Sequence, residues 1–243
     1  RKLKLPHKLF FGVIMIKKSL NYFTKTEIIL WGGSALFIVL SFAFFDAKNH
    51  LTLAASLIGV TSLIFNAKGN PFGQLLMIVF SILYGIISYS FSYYGEMITY
   101  LGMTGPMALL ALVSWLRNPY KGKKSEVEVN RIKRKELLFM CALTVVVTVI
   151  FYFILKALGT SNLLVSTISV TTSFAAAYLT FRRDPHLSLL YALNDIVLVV
   201  LWILACFSDK SYLSVAICFG VFLLNDVYCF INWKRMERKQ AEN

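Results

Sequence analysis

Eight stretches of roughly 17–22 mostly apolar residues follow one another almost without interruption between residues 27 and 232. An α-helix rises 1.5 Å per residue, so about 20 apolar residues cross a hydrocarbon core ~30 Å thick. The spacing predicts transmembrane helices at 27–45, 51–67, 71–91, 95–116, 136–156, 161–181, 187–206 and 211–232. With 243 residues and a mean hydropathy of +0.68, little chain is left for a soluble domain. The expected fold class is an all-α polytopic membrane protein, and its function must reside within the bundle.

A net charge of +13 would point a soluble protein toward nucleic acid. Here its distribution gives a topological explanation. The two termini and the loops after the second, fourth and sixth helices hold 22 of the 25 Lys and Arg residues, leaving only Lys48, Lys156 and Lys210 for the other side. That asymmetry predicts an even number of spans with both termini in the cytoplasm, and no nucleic-acid partner. The basic segment 1–26 is expected at the cytoplasmic interface, where residues 3–16 mix Lys with Leu, Phe and Ile. The first helix lies too far from the start, and lacks the small-residue cleavage site, for a signal peptide.

Cys141, Cys206, Cys218 and Cys229 all fall in predicted helices and read as small apolar packing residues. His7, His50 and His186 share no ligand spacing, so neither a metal nor a cofactor is expected. There is no Ser-His-Asp set and no Walker loop, which argues against an enzyme or an ATP-driven pump.

The basic stretch 117–135 divides the chain into similar halves. SLIGVTSL (56–63) aligns with STISVTTS (166–173) at an offset of 110, Pro71 with Pro185 at 114, and Gly102 and Trp115 with Gly220 and Trp233 at 118. Drift of this kind is what loop insertions produce. Segments 51–116 and 161–232 therefore read as two triple-helix bundles in parallel orientation, linked by the helix at 136–156. The helix at 27–45 is an extra, and 233–243 a cytoplasmic tail. Internal repeats are characteristic of transporters that bind substrate near the midplane between the repeats. Gly102, Gly105 and Pro106 predict a kink in the fourth helix.

Polar groups within the spans are the candidate site, because hydrocarbon penalises them unless they are partnered. Asn194 shares a helical stripe with Tyr191 and Trp202, and Asn225 with Tyr228 and Asn232. Gln74 and Tyr84 lie on the third helix, Glu96 and Tyr100 one turn apart on the fourth, and Thr171 on the sixth. Amides suit hydroxyls and carboxamides, and aromatic faces attract planar cations. Glu96, Asp195 and Asp226 provide charge to balance one positive group. The lining suits a neutral or monocationic organic solute with an aromatic ring and hydroxyls. The competing role for each of these residues is hydrogen bonding between helices. Trp31, Trp115 and Trp233, near helix ends, are expected as interfacial anchors, as are Tyr93 and Tyr94.

The segments NPFGQ (70–74), YYGEMITYLGMTGPMA (93–108), SWLRNPY (114–120), YLTFRRDP (178–185), ALNDIVLVVLW (192–202) and FLLNDVYCFINW (222–233) resemble the PnuC family of nicotinamide riboside transporters. The resemblance covers the second to eighth helices. It implies a 3+1+3 SWEET-like fold, a homotrimer in the bacterial inner membrane, and facilitated diffusion of nicotinamide riboside with trapping by a cytosolic kinase. Sister families with this fold carry thiamine or riboflavin. The resemblance assigns substrate contacts to Asn194, Trp202, Asn225 and Tyr228. Where many relatives have an Asn and further Trp residues, this chain reads MALLALVSW (107–115), with Ala108 and Leu112. Less polar contact is therefore expected from the first half.

Overall fold

The structure is a computed structural model that describes residues 22–90, 93–160 and 162–242. The interfacial segment expected at 3–16 lies outside them. Among the described residues, eight helices are long and apolar enough to cross a membrane. They are α1 (Lys25–Phe45), α2 (His50–Ala67), α3 (Pro71–Ser90), α4 (Tyr94–Arg117), α5 (Arg134–Ala157), α6 (Leu163–Arg182), α7 (Leu187–Ala205) and α8 (Leu213–Ala241). The positions follow the apolar stretches, with α8 running nine residues beyond its expected end, so that most of the supposed tail is helical.

Two segments depart from expectation for local reasons. In α4 the backbone N–H of Gly105 reaches the carbonyl of Tyr100, and Tyr100–Thr104 form a π-helical turn. Pro106 has no N–H to continue the ladder, and the wider turn absorbs the mismatch without breaking the helix. The stretch 117–135 is more than a loop. Pro119–Tyr120 (β1) pairs antiparallel with Lys123–Val127 (β2). Lys121 and Gly122 both take positive φ, as a two-residue hairpin turn requires. The hairpin is bolted to the bundle: the Val127 N–H donates to the Gly69 carbonyl (2.9 Å), and the Val129 N–H to Gln240 Oε1 (2.8 Å).

The packing is that of a repeat. Within the first unit α3 contacts α2 and α4, and within the second α7 contacts α6 and α8. The units meet where the first helix of each touches the last helix of the other, α2 on α8 and α6 on α4. Exchanging the units leaves this pattern unchanged, as a parallel repeat demands. The helix ends repeat it in detail. Gly69 and Arg183 both adopt left-handed backbone (φ 62° each) after the first helix of their unit. The next residues, Asn70 and Asp184, each accept through Oδ1 from the N–H two positions on, at 2.9 Å. Pro71 and Pro185 follow. Glycine takes the left-handed conformation at no steric cost; Arg183 accepts that cost, so the turn geometry and not the residue type is what the halves share.

Trp115 and Trp233 are corrected from surface anchors to core. Both are fully buried, with ring centroids 5.5 Å apart. Each indole N–H crosses to the opposite unit, Trp115 to the Thr180 carbonyl (2.8 Å) and Trp233 to the Asn66 carbonyl (2.9 Å). A buried indole N–H must find such a partner. Trp31 remains at the periphery, donating to Thr61 Oγ1 at 3.1 Å. Tyr93 is half-buried against Trp202 and Tyr212, while Tyr94 is exposed.

The extra helix has a place in the same symmetry. α1 packs on α2 and α8, as α5 packs on α6 and on the first turn of α4. Lys68 at the end of α2 pairs with Glu27 of α1 (3.0 Å), and Arg182 at the end of α6 pairs with Glu136 of α5. α1 and α5 are also the least buried of the eight. Each unit thus consists of three packed helices braced by a fourth from outside.

Candidate substrate cavity

A cavity of about 40 Å³ lies where the two units face each other. Its walls follow the repeat. Leu63, Met77, Phe80 and Thr104 come from the first unit, and their repeat partners Ser173, Tyr191, Asn194 and Phe222 from the second. Tyr100, Asp195, Leu198, Phe219 and Asp226 complete it. The cavity straddles the pseudo-two-fold axis, yet its chemistry is lopsided. The first unit gives mostly apolar surface, and the second gives a hydroxyl, a phenol, an amide and two carboxyls. The volume is that of roughly a single water, against ~300–1,000 Å³ for an ordinary ligand pocket, so the units must separate to admit an organic solute.

Asn194 is held by the second unit alone. Its Oδ1 accepts from Thr172 (2.8 Å) and Ser173 (2.9 Å), with Ser169 at 3.4 Å. With the carbonyl oxygen so occupied, the amide presents its N–H groups to a ligand. One residue on, Asp195 turns about 100° around α7 and joins Asp226 of α8 in the cavity lining. Both are nearly inaccessible, at 4% and 3% exposure.

Of the ten residues selected from sequence, Tyr100, Tyr191 and Asn194 line the cavity. Tyr84 and Trp202 adjoin it in an aromatic stack that leads away from the hairpin end of the bundle. Tyr84 contacts Phe80 and Tyr100 (centroids 5.4 and 4.4 Å), and Trp202 packs against Tyr84, Tyr93 and Tyr212 (6.3, 5.3 and 5.5 Å). The Tyr84 hydroxyl, the Trp202 N–H and Glu96 Oε2 are buried without a hydrogen-bond partner among the described residues. Buried polar groups left unmet carry a free-energy cost.

The other four do not reach it. Gln74 Nε2 donates to Asn66 Oδ1 (2.9 Å), tying α3 to α2. The Thr171 hydroxyl meets that of Thr148 on α5 (2.9 Å). Asn225 Nδ2 donates to Ser34 Oγ of α1 and to the Val221 carbonyl (2.9 Å each), and the Tyr228 hydroxyl to Glu27 Oε1 (3.1 Å). The stripe Asn225, Tyr228, Asn232 is a genuine helical face, but α1 and α2 cover it, and the neighbouring face carrying Asp226 looks into the cavity. Sequence selection thus missed Ser173 and Thr104, and it named Asp195 and Asp226 only as charge to balance a cation and not as cavity lining. The signal for these two was the Asn-Asp pair that occurs near the middle of α7 and again in α8.

This cavity sits in a chain with known relatives. The sequence model of the nicotinamide mononucleotide transporter family matches residues 49–235. The nicotinamide riboside transporter PnuC of Neisseria mucosa is 25% identical over 201 residues, covering 81% of this chain and 76% of that protein. The protein of the same name from Haemophilus influenzae is 22% identical over 208 residues, covering 84% and 89%. A crystal structure of the vitamin B3 transporter PnuC superposes with a TM-score of 0.79 at 24% identity, over 90% of this chain and 94% of that one, and so shares the fold. With its family's pattern extending from the start of α2 into α8, the chain belongs to the nicotinamide mononucleotide transporter family.

Proposed function

We propose that this protein carries nicotinamide riboside across a bacterial plasma membrane by facilitated diffusion, binding it between the two triple-helix units. The observation that carries the reading is the lining of the interface cavity. Tyr100 and Tyr191 offer ring faces, Asn194 offers amide donors, and Asp195 and Asp226 offer carboxyl groups. These match, in turn, an aromatic ring, ribose or carboxamide oxygens, and the ring's positive charge. Among the described residues, no Lys or Arg lines the cavity. A phosphate brought beside two carboxyls with no cation would be repelled, so the lining favours the riboside over the mononucleotide that gives the family its name. The relatives named for nicotinamide riboside support the same substrate. Tyr84, Trp202 and Glu96 would join the site as the units rock apart, a motion that exposes the cavity to alternate sides.

The charge asymmetry supports placing both termini in the cytoplasm. A homotrimer, the assembly implied by the sequence resemblance, would cover part of the apolar outer face formed by α1 and α5. Such a carrier performs no chemistry on its cargo.

Calorimetry of the purified full chain in detergent against nicotinamide riboside, nicotinamide mononucleotide, thiamine and riboflavin tests the substrate. The riboside is expected to bind at least ~100-fold more tightly than the mononucleotide, a difference of about 2.7 kcal/mol. Equal binding of the mononucleotide, or binding of thiamine in place of the riboside, would overturn the assignment. Uptake into sealed vesicles separates a carrier from a receptor, which would bind the riboside without moving it.

A further inference from the structure

Asp195 and Asp226 approach from different helices of the second unit, both line the cavity wall, and each senses the other's charge. Two carboxyl groups side by side in an apolar setting cannot both ionise. The pair therefore carries at most one negative charge. Among the described residues no Lys, Arg or His forms an ion pair with it. The ionisable groups nearest to it are Tyr100, Tyr191, Cys218 and Cys229, from α4, α7 and α8. None of these supplies a positive charge. Asp195 Oδ2 has no hydrogen-bond partner although the residue is only 4% exposed. The site thus holds an unmatched acceptor, with one charge to offer, facing a cavity whose other walls are aromatic, apolar or uncharged polar side chains.

We infer that the Asp195–Asp226 pair is the counter-charge for a monocationic aromatic ring, and that it selects cationic from neutral nucleosides of the same shape. This rests on the nicotinamide riboside reading and adds to it the group that reads the charge. A single shared proton fits the task. A lone buried carboxylate is costly without its ligand, and two ionised carboxylates more so. A pair that shares one proton stays close to neutrality in hydrocarbon and still offers one charge when a cation arrives. The apolar wall of Leu63, Met77 and Phe80 opposite cannot substitute for it.

The test uses benzamide riboside, in which carbon replaces the charged ring nitrogen and the shape is kept. Affinities of the full chain for the two ribosides are measured by calorimetry, in wild type, D195N, D226N and the double variant. Wild type is expected to prefer the cation by about tenfold or more. Each single variant keeps one carboxyl able to ionise and should retain the preference to within ~3-fold, whereas the double variant should lose it while still binding the neutral riboside. Wild type binding both ribosides equally would overturn the inference, and needs no variant to fold. A folded double variant that keeps the preference, or that loses both ligands in equal measure, would also overturn it. In all those outcomes nicotinamide riboside still binds wild type, and the carrier reading stands. Failure of wild type to bind either riboside would instead overturn both.

Discussion

The two triple-helix units agree at their ends and disagree in their middles. At the hairpin end, the left-handed turn after the first helix, the buried Trp donating across the interface and the basic residue paired to a bracing helix all occur twice. Halfway along the bundle the correspondence of position survives while the chemistry changes: Leu63 is matched by Ser173, Met77 by Tyr191, and Phe80 by Asn194. Packing at the ends needs both copies, because each holds the other unit in register. Binding at the proposed site would need only one polar wall, since a solute with a flat ring and a hydroxylated sugar has one apolar and one polar side. The fold is thus maintained by what the halves share, and the proposed site is built from what they do not.

The shared part is tested by matched substitutions. Trp115→Ala and Trp233→Ala each remove a fully buried indole and a hydrogen bond to the opposite unit. Each should cost about 3–5 kcal/mol, by the usual range for such truncations. Thermal unfolding in detergent should show two large and similar losses. A large loss from one and a small loss from the other would break the claim that the ends are equivalent.

The bracing helices give a sharper contrast. Glu27 is 2% exposed and receives Lys68 and Tyr228, whereas Glu136 is 23% exposed beside Arg182. Removing one partner from a buried pair leaves the other uncompensated, so Glu27→Gln should cost about 3 kcal/mol. Glu136→Gln, in a wetter position, should cost no more than ~1 kcal/mol. Equal losses in the same unfolding assay would mean that α1 and α5 are interchangeable in energy as well as in place.

At the midplane, Asn194→Ala should weaken nicotinamide riboside binding by about 1–3 kcal/mol, the cost of leaving a ligand group without its partner. Gln74→Ala, in the first unit, should lower the melting temperature and leave affinity unchanged, because its amide is spent on Asn66. Calorimetry that found the two variants equally impaired would place both walls in the site.

Much of the fold could be read from the sequence because hydrocarbon enforces it. Spans must be apolar and about 20 residues long, and a basic loop must lie on one side, so the eight helices and the repeat offsets were visible in residue order alone. The site was harder to read because a polar stripe on a membrane helix looks the same whether it faces a ligand or another helix. Asn194 and Asn225 occupy similar settings, each followed by Asp. One faces Ser173 and the cavity, and the other faces Ser34 on a helix 191 residues away in sequence. Periodicity gives the face, and only packing says what covers it. The buried Trp pair was misread for the same reason: position near a helix end suggests an interface, but the hairpin and the long α8 carry the core beyond that level.

The smallest expected effect concerns what α1 contributes to the site. Ser34 accepts from Asn225, one residue from Asp226. The equivalent positions on α5 and α4, Leu143 and Met107, are apolar and pack against one hydrophobic cluster. If α1 is only a brace, as α5 is, Ser34→Ala should cost about 1 kcal/mol of stability. The Val221 carbonyl still receives the Asn225 amide, so nicotinamide riboside affinity should stay within ~2-fold of wild type. A drop of tenfold or more in affinity, with the melting temperature scarcely moved, would show that α1 sets the orientation of α8 and through it the placement of Asp226. The helix that lies outside the repeat would then belong to the binding machinery, and the two bracing helices, alike in position, would differ in function as the two cavity walls do.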